Sequence, residues 1–372
     1  MLIGIPKEIK NHEYRVSISP QGVRELVHHG HQVIIQKDAG HGIGFDDIQY
    51  HAAGALIVNS AAEVYDRAEM IVKVKEPQIA ECAMIKEGQI IFSYLHLAAE
   101  PKMAQLLIDA NCIAIAYETV TAEDGSLPLL APMSEVAGRM AVQAGAHCLE
   151  KASGGRGVLL GGAPGVVAGN VVIIGGGVVG ANAAMIAAGM GANVTILDKS
   201  LKRIRQLDDK FGFTTHNIYA TVDAIEEYVS KADLVIGAVL IPGAAAPKVI
   251  TEDLVKSMLR GSVIVDVAID QGGCVETSRP TTHAEPTYIE HGIVHYCVTN
   301  IPSAVARTSS KALENSTLPY ILALANKGYR TAFRDDIHFR NGLNLYRGRV
   351  THEAVANNLS HSFVPAATFF GG

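Results

Sequence analysis

The sequence has few cysteines, and none of them is in a paired arrangement. They are odd in number, scattered, and never form Cys-x-x-Cys: Cys82, Cys112, Cys148, Cys274 and Cys297. A disulfide framework or a zinc ribbon is therefore not expected, and a reducing compartment such as the cytoplasm fits better. The histidines also lack a His-Glu-x-x-His spacing, so we predict no metal site.

Basic residues are too few to indicate nucleic-acid binding. Lys and Arg number 31 against 37 Asp and Glu, a formal net charge of −6, so the positive footprint of a nucleic-acid-binding protein is missing. Charged residues make up 18% of the chain and hydrophobic ones 48%, which excludes wholesale disorder and predicts a large core. At about 150 residues per domain, the 372 residues predict two domains.

Long apolar segments of the kind that enter membranes are also missing. The N-terminal MLIGIPKEIK carries charges at Lys7, Glu8 and Lys10, so we expect no secretory signal. The 41 residues between Arg156 and Asp198 have no formal charge, but eleven glycines and Pro164 divide them into short runs. Such runs are typical of buried parallel strands rather than of a membrane span. We therefore expect no membrane association.

Short β-branched runs alternate with amphipathic stretches, which predicts α/β domains with mostly parallel sheets. The predicted strands of a first domain are Leu2–Ile5, Gln32–Gln36, Met70–Val74, Ile90–Tyr94 and Ile113–Tyr117. Those of a second domain are Val171–Ile174, Val194–Leu197, Leu234–Ala238, Val263–Val267 and Ile293–Val298. Long helical patterns over Pro132–Ser153 and Pro302–Asn326 flank the second domain, and Pro319 should kink the later helix.

The order of these elements predicts one domain inserted into another. We assign residues 1–128 and 307–372 to a discontinuous substrate domain, because the last segment is too short to fold alone. Residues 129–306 form the inserted domain, with a long connecting helix at each end. The predicted fold class is therefore α/β with two domains, one of them a doubly wound Rossmann fold.

A glycine-rich turn gives the clearest chemical signal. Gly175, Gly177 and Gly180 satisfy G-x-G-x-x-G directly after an apolar strand and before an Ala-rich helix that starts at Val178–Val179. The first glycine allows the tight turn, the second lets the backbone approach a pyrophosphate, and the third allows the helix to pack closely. The helix N-terminus then offers N–H groups and partial positive charge to phosphates.

The next strand supports a dinucleotide site. It ends in Asp198, 23 residues past Gly175, the interval at which an acid is expected to bind ribose hydroxyls. A carboxylate there disfavours a 2′-phosphate, so NAD is favoured over NADP, although Lys199, Lys202 and Arg203 keep NADP open. Ligands of such sheets lie beyond the strands' carboxyl ends, which adds three candidate segments: Val239–Leu240, Val267–Asp270 with Ile269, and Val298–Asn300. Val239 and Leu240 could equally pack as ordinary loop residues.

Four polar residues stand where apolar strands meet loops. Its position alone predicts that Arg15 is a solvated surface arginine. Lys75 and His96 end apolar runs, where a polar or charged side chain more often indicates a site role. His96 could still be a structural histidine. Asp270 lies where a strand of the second domain opens onto the predicted cleft. Nicotinamide chemistry needs a substrate anchor and a proton donor or acceptor, and these residues could supply both.

The motifs that hold these residues resemble the L-alanine dehydrogenases over essentially the whole chain. The matching segments are IGIPKEIKNHEYRVSISP (3–20), IVKVKEP (71–77), FSYLHLA (92–98), APMSEVAGRMA (131–141), GGGVVG (175–180) and VDVAIDQGGCVETSRPT (265–281). The resemblance implies reversible, NAD-dependent oxidative deamination of L-alanine to pyruvate and ammonium. It also implies a cytoplasmic homohexamer.

The resemblance also implies site roles. Arg15 and Lys75 would bind the substrate's carboxylate and its carbonyl or amino region, His96 would be the general acid/base, and Asp270 the second catalytic group. The implied coenzyme contacts are Ser134, Asp198, Arg203, Arg279 and Val298–Asn300. Ala220 stands where a hydroxyl residue is expected at the adenosine end, and we expect its effect on affinity to be minor.

Three alternatives remain at this point. The NAD-binding component of the proton-translocating transhydrogenases shares the two-domain layout, but Lys75, His96 and Asp270 together favour the dehydrogenase. A lysine-forming saccharopine dehydrogenase matches less of the sequence. A catalytically silent NAD-binding protein is the third.

Overall fold

The computed structural model describes residues 1–239 and 246–371. They divide into two compact units, one made of Met1–Met133 with Val305–Gly372 and the other of Ser134–Ala304. The sequence placed these divisions at 128/129 and 306/307. Two mostly parallel sheets with flanking helices make up the units, which confirms the predicted fold class.

Fifteen strands occur in the described ranges: β1 (Leu2–Ile5), β2 (Gln32–Gln36), β3 (Leu56–Val58), β4 (Met70–Val72), β5 (Ile90–Ser93), β6 (Ile113–Ala116), β7 (Asn170–Ile174), β8 (Asn193–Asp198), β9 (His216–Tyr219), β10 (Leu234–Gly237), β11 (Val263–Asp266), β12 (Thr287–Glu290), β13 (Ile293–Tyr296), β14 (Leu343–Tyr346) and β15 (Arg349–Val350). The α-helices there are α1 (Pro20–His28), α2 (Asp47–Ala52), α3 (Ala61–Arg67), α4 (Ile79–Cys82), α5 (Pro101–Asp109), α6 (Ala131–Cys148), α7 (Val178–Gly189), α8 (Leu201–Phe211), α9 (Val222–Ser230), α10 (Glu252–Ser257), α11 (Ala306–Asp335), α12 (Ile337–Arg340), α13 (Glu353–Leu359) and α14 (Ala367–Phe370).

The sheet of the first unit is doubly wound. Its strand order is β15-β14-β6-β5-β4-β1-β2-β3, and β1 to β6 are parallel. Strand β14 adds antiparallel to β6 and pairs with β15, so the C-terminal segment completes the sheet. The strand order reverses between β1 and β4, and in such sheets ligands bind beyond the carboxyl ends at the point of reversal.

The sheet of the second unit has the same winding. Its order is β12-β13-β11-β10-β7-β8-β9, with β12 antiparallel to β13 at one edge and the reversal between β7 and β10. The sequence missed β9 and β12 because none of their side chains is fully buried, so neither strand has a continuous apolar run. Side chains of β7 alternate between two buried clusters, Val171 and Ile173 in one and Val172 and Ile174 in the other. The central strand is therefore covered on both faces.

The two long helices depart from their predicted bounds. Helix α6 stops at Cys148, and a short 3-10 turn follows at Lys151–Ser153. Helix α11 starts at Ala306 and continues through Pro319 to Asp335. Its backbone leaves the helical region at Gly328, with φ 71° and ψ 154°. Pro319 keeps helical backbone angles, and the kink that the sequence did not predict lies at Gly328, whose positive φ a glycine adopts without strain.

Helix α1 shows how local sequence sets the ends of a helix. The Ser19 side chain accepts the Gly22 N–H, and Pro20 occupies the first turn, where its missing N–H costs nothing. Gly30 follows at φ 80°. None of the helices in the described ranges is both long and apolar enough to cross a membrane.

Candidate functional site

Three predicted residues lie beyond the carboxyl ends of strands in the first unit. Strand β1 pairs in parallel with β4, and β4 with β5. Arg15 follows β1, Lys75 follows β4 and His96 follows β5. The carboxyl ends of parallel strands share one edge of the sheet, and this edge includes the point of reversal. The first sheet therefore brings all three residues to the edge at which α/β sheets bind ligands.

Arg15 is buried, with 2% of its surface exposed, so the position-based prediction of a surface arginine is wrong. The Glu13 carboxylate clasps one edge of its guanidinium, with Nε donating to Oε1 at 2.6 Å and Nη2 to Oε2 at 2.5 Å. Nη1 lies 3.1 Å from Met133 Sδ. Burial would lower the pKa of Arg15, but the Glu13 hydrogen bonds outweigh it, and the pKa is raised. A buried, fixed positive charge results.

Lys75 follows a segment that a buried carboxylate holds. Glu8 Oε1 accepts the backbone N–H groups of Val74 at 2.7 Å and Lys75 at 3.3 Å. Its Oε2 lies 3.1 Å from the Nζ of Lys73, and Glu81 Oε1 lies 2.8 Å from the same Nζ. The predicted strand Met70–Val74 accordingly stops at Val72. Lys75 is half-buried, and its side chain extends from a backbone that Glu8 holds in place.

The ionisation of this cluster follows from burial and pairing. Burial raises the pKa of Glu8 above its ordinary value, and the Lys73 ammonium only partly opposes this shift. Burial would lower the pKa of Lys73, but Glu8 and Glu81 outweigh it, and the pKa is raised. A buried cation between two carboxylates keeps its proton, and breaking such a cluster is costly.

His96 stands in a left-handed backbone conformation, with φ 47° and ψ 38°. This conformation costs a non-glycine residue about 1–3 kcal/mol. Glu118 compensates by accepting two successive backbone N–H groups, from Leu95 at 3.2 Å and His96 at 2.6 Å. Glu118 Oε1 also lies 3.8 Å from His96 Nδ1, and the Tyr94 ring stacks on the imidazole at 5.9 Å. The imidazole is 42% exposed, so it is held but accessible to a ligand.

In the second unit the predicted glycine turn has the geometry that its sequence requires. Gly175 follows β7 with φ 97°, and a Cβ there would lie 2.7 Å from the Ala238 carbonyl oxygen. A Cβ on Gly180 would lie 1.9 Å from the Gly175 carbonyl oxygen. Gly177 begins α7 without a side-chain cap, and a Cβ there would meet no atom within 4 Å. An open cradle thus leads to the first residues of α7, Val178 and Val179.

Two predicted coenzyme contacts are tied to this turn. Asp198 ends β8; its Oδ2 accepts the Gly176 N–H at 2.8 Å, and its Oδ1 accepts the Ser200 N–H at 2.7 Å. Arg203 donates from Nε to the Gly176 carbonyl. Ala220 donates its N–H to the Asp198 carbonyl at 3.0 Å, so this residue lies beside Asp198.

Asp270 is exposed on a 3-10 turn, Val267–Gln271, that follows β11. Fully buried Asp266 shapes this turn. Its Oδ1 accepts the Ala268 N–H at 3.1 Å, and its Oδ2 accepts the Cys274 N–H at 2.9 Å. A carboxylate inside the unit therefore holds both ends of the loop that carries Asp270.

Arg279 lies against an aromatic ring in the second unit. Its guanidinium carbon is 3.9 Å from the centre of the Tyr288 ring, and its backbone N–H donates to the Tyr288 hydroxyl at 2.9 Å. Tyr288 in turn stacks on His295 with ring centres 5.0 Å apart. Tyr288 thus fixes both the backbone and the side chain of Arg279.

The other predicted coenzyme contacts differ in accessibility. Ser134 on α6, Val239 after β10 and Val267 are half-buried. Leu240 lies outside the described residues. Ile269 and Val298 are 3% and 0% exposed, so only their backbone could meet a ligand. Asn300 has φ 60°, and its carbonyl accepts the Ser303 N–H at 3.0 Å.

Sequence reasoning missed the carboxylates that hold the site. Glu8, Glu13, Glu118 and Asp266 each accept hydrogen bonds from a predicted residue or its segment. Glu13 and Asp266 lie two and four residues before Arg15 and Asp270, which was an available signal, whereas Glu8 reaches Lys75 across 67 residues. Glu118 reaches His96 from 22 residues away, and the sequence shows no sign of that contact.

Known proteins match this chain along its length. Residues 4–137 match the family described as alanine dehydrogenase/PNT, N-terminal domain, and residues 141–353 match its C-terminal domain. An alanine dehydrogenase from Halomonas elongata is 58% identical over 371 residues, 100% of each chain. A solved L-alanine dehydrogenase is 52% identical, with a TM-score of 0.94 over 97% of this chain and 99% of that one.

A more distant solved structure shows a likeness of fold. A transhydrogenase from Sinorhizobium meliloti has a TM-score of 0.82 but 24% identity, over 95% of this chain and 100% of that one. The matches to both domains and the identity over the full length decide the family. This chain belongs to the alanine dehydrogenase family.

Proposed function

We propose that this protein is an L-alanine dehydrogenase that reversibly converts L-alanine to pyruvate and ammonium with NAD. Identity of 58% to an alanine dehydrogenase over the whole of both chains carries this proposal. The edge of the first sheet, where cationic and acid/base side chains gather, supplies the chemistry such a reaction needs.

NAD fits the glycine turn of the second unit. The open cradle at Gly177 and the uncapped start of α7 suit a pyrophosphate, and Asp198 suits the ribose hydroxyls and disfavours a 2′-phosphate. Bound there, NAD would supply a hydride acceptor for Cα of the amino acid, and water would then hydrolyse the substrate iminium. The further coenzyme contacts we propose are Ser134, Val239, Leu240, Val267, Ile269, Asp270, Arg203, Arg279, Val298 and Asn300.

Arg15 and Lys75 bind the substrate in this proposal. Glu13 holds the Nε and Nη2 edge of Arg15, so the guanidinium is fixed in place before a substrate carboxylate binds. Charge-assisted hydrogen bonds of this kind are roughly twice as strong as neutral ones. Lys75 contacts the carbonyl or amino region of the substrate. Glu8 fixes the Lys75 backbone, so the side chain extends toward the substrate from a set position.

His96 moves the protons. It takes a proton from the attacking water in deamination and returns one in the reverse direction. Its exposed ring, held by Glu118 and Tyr94, is oriented before the substrate arrives, which is what positioned acid/base groups require. Asp270 acts as the second catalytic group, beside the reacting amine or water. The cytoplasmic location and the homohexamer implied by the family resemblance belong to the same proposal.

A coupled assay tests the activity. We expect NAD reduction that depends on L-alanine at alkaline pH, and NADH oxidation that requires pyruvate and ammonium together. A folded protein that binds NADH but shows neither reaction would be a coenzyme-binding protein or a transhydrogenase component. NADPH as the better reductant would contradict the Asp198 assignment.

A further inference from the structure

The second unit contains a cavity that the proposed reaction does not use. Its volume is about 440 Å³, and three cations line it, Lys151, Arg156 and Arg260, together with Gly155 and Gly261. No Asp or Glu is among its lining residues. This excess of positive charge is notable in a chain of net charge −6, because a concave surface of one sign concentrates ions of the other.

The cavity lies at the amino ends of the strands. Arg260 and Gly261 precede β11, Gly292 precedes β13, and Arg156 pairs with Asp233, which precedes β10. The glycine turn follows the carboxyl end of β7, at the opposite edge of the same parallel sheet. Four-residue strands at about 3.3 Å per residue separate the two edges by roughly 13 Å. The cavity is therefore distinct from the coenzyme turn.

Two of the three cations have no counter-charge within the described residues. Arg156 Nη1 lies 2.8 Å from Asp233 Oδ1, and its side chain is 28% exposed. Asp233 also accepts the Asn170 N–H at 2.8 Å, so this ion pair is anchored to the sheet. Lys151 and Arg260 are exposed, and the described part of the chain offers their charged groups neither a hydrogen bond nor an ion pair. One fixed guanidinium thus stands beside two uncompensated cations.

Close contacts with glycine shape this cavity. Arg156 donates its N–H to the Gly261 carbonyl, and Gly261 donates to the Gly292 carbonyl, both at 2.8 Å. A Cβ on Gly261 would lie 2.8 Å from Arg156 N, and one on Gly292 would lie 3.2 Å from Arg260 Cγ. Gly261 and Gly292 also have φ of 81° and 79°, a conformation that favours glycine, so these loops pack closely against Arg156 and Arg260. This arrangement is built by the fold and is more than a chance grouping of surface side chains.

We propose that this cavity binds a small anion carrying more than one phosphate group, at a site separate from the coenzyme. Guanidinium groups hold phosphate oxygens in paired hydrogen bonds, and lysine adds a mobile point charge. Several charges on the ligand match several cations on the protein. A single phosphate would use only part of the cavity and bind more weakly.

The test is a calorimetric titration of the full-length protein with inorganic pyrophosphate, with NADH saturating and ionic strength held constant with chloride. We expect saturable binding that weakens about tenfold for each cation removed in Lys151→Ala and Arg260→Ala, and further in the double variant. Arg205→Ala, which removes an exposed arginine elsewhere in the unit, should bind as the unchanged protein does. Inorganic phosphate and citrate should bind more weakly than pyrophosphate.

Several outcomes would overturn the proposal. They are binding equal to that of citrate, binding unaffected in the double variant, and loss of binding when NADH is present, which would place pyrophosphate on the glycine turn. A double variant that changes oligomeric state in sedimentation, with no pyrophosphate binding by the unchanged protein, would instead assign the cavity to a second copy of the chain. No readout depends on turnover, so these failures leave the proposed activity standing.

Discussion

Both units have a doubly wound sheet, but the candidate site of the first is made mainly of side chains and that of the second mainly of backbone. Both sheets reverse strand order at an internal pair, β1 with β4 in the first and β7 with β10 in the second. In the first unit the site depends on buried carboxylates that hold cations and on half-buried Glu118, which holds a histidine. In the second unit the clearest part of the candidate site is backbone. It is a turn in which a Cβ on Gly175 or Gly180 would collide with a carbonyl oxygen.

This difference matches two kinds of ligand. A pyrophosphate and its sugars present the same shape in many reactions, and a backbone turn with a helix N-terminus suits them. A small amino acid offers few atoms, so long side chains must reach it, and each must be stiffened by a partner. Glu13 stiffens Arg15, Glu8 fixes the Lys75 backbone, and Glu118 holds His96.

The largest expected effect is a loss of turnover in a variant that still binds the coenzyme normally. His96→Ala should lower turnover by about 10² to 10⁴-fold, since positioned acid/base groups contribute that much. NADH affinity, measured by fluorescence titration, should stay unchanged, because the glycine turn belongs to the other unit. Asp270→Asn should also lower turnover strongly. Near-normal turnover in either variant would remove that residue from the catalytic assignment.

Lys73→Met tests the buried carboxylates by stability. It leaves Glu8 and Glu81 buried without a cation, so the free energy of unfolding should fall by about 3–5 kcal/mol. Lys231→Met removes an exposed ion pair with Glu227 and should cost no more than about 1 kcal/mol. Equal losses in urea titrations of the two variants would show that the buried cluster adds no special stability.

Gly180→Ala and Gly177→Ala test the backbone site. The first places a Cβ 1.9 Å from a carbonyl oxygen, so we expect a loss of about 1–3 kcal/mol of stability and weaker NADH binding. The second meets no atom, so it should unfold at the normal temperature and yet bind NADH less tightly. Normal NADH affinity in Gly177→Ala would argue against the cradle.

Two variants of Glu118 test whether this residue acts by holding the backbone at His96 or by its charge. Glu118→Gln keeps an oxygen that can accept the Leu95 and His96 N–H groups, and Glu118→Ala does not. We expect turnover to fall about tenfold in the alanine variant, the scale of one hydrogen bond to a charged group, with the KM for pyruvate nearly unchanged. Glutamine should restore most of the rate. A glutamine variant as slow as the alanine one would contradict this role.

The smallest expected effect is a change in how stability depends on pH, and here the two units should behave alike. Burial lowers the pKa of His295 in the second unit and of His352 in the first. For a group whose pKa is lowered by folding, the stabilisation is complete above its unfolded pKa of about 6.5 and is lost as pH falls toward the folded pKa. His295→Gln should flatten the fall in unfolding free energy between pH 8 and 5.5 in urea titrations. An unchanged slope would show that His295 is protonated alike in both states.

The same difference explains what could be predicted from sequence. Glycine spacing and a strand-terminal acid are local signals, so the turn at Gly175–Gly180 and the position of Asp198 could be predicted. The burial of Arg15 could not, because it depends on a carboxylate clasp and on Met133, 118 residues away. Position alone even favoured a surface arginine, and the structure shows that this prediction is wrong.

The fold shows a similar limit. Buried strands such as β2 were predicted to the residue because their apolar runs are continuous. Exposed strands such as β9 and β12 have no such run and were missed. The kink in α11 at Gly328 was not predicted, since backbone conformation at a glycine is decided by the surrounding structure.

A crystal structure grown with NADH and pyruvate would test the central claim most directly. We expect the pyruvate carboxylate within hydrogen-bond distance of Arg15, with Lys75 at its carbonyl, and the NADH pyrophosphate on the backbone of Gly175–Gly180. Pyruvate bound away from Arg15 and Lys75, or a coenzyme that makes no contact with the glycine turn, would contradict the account.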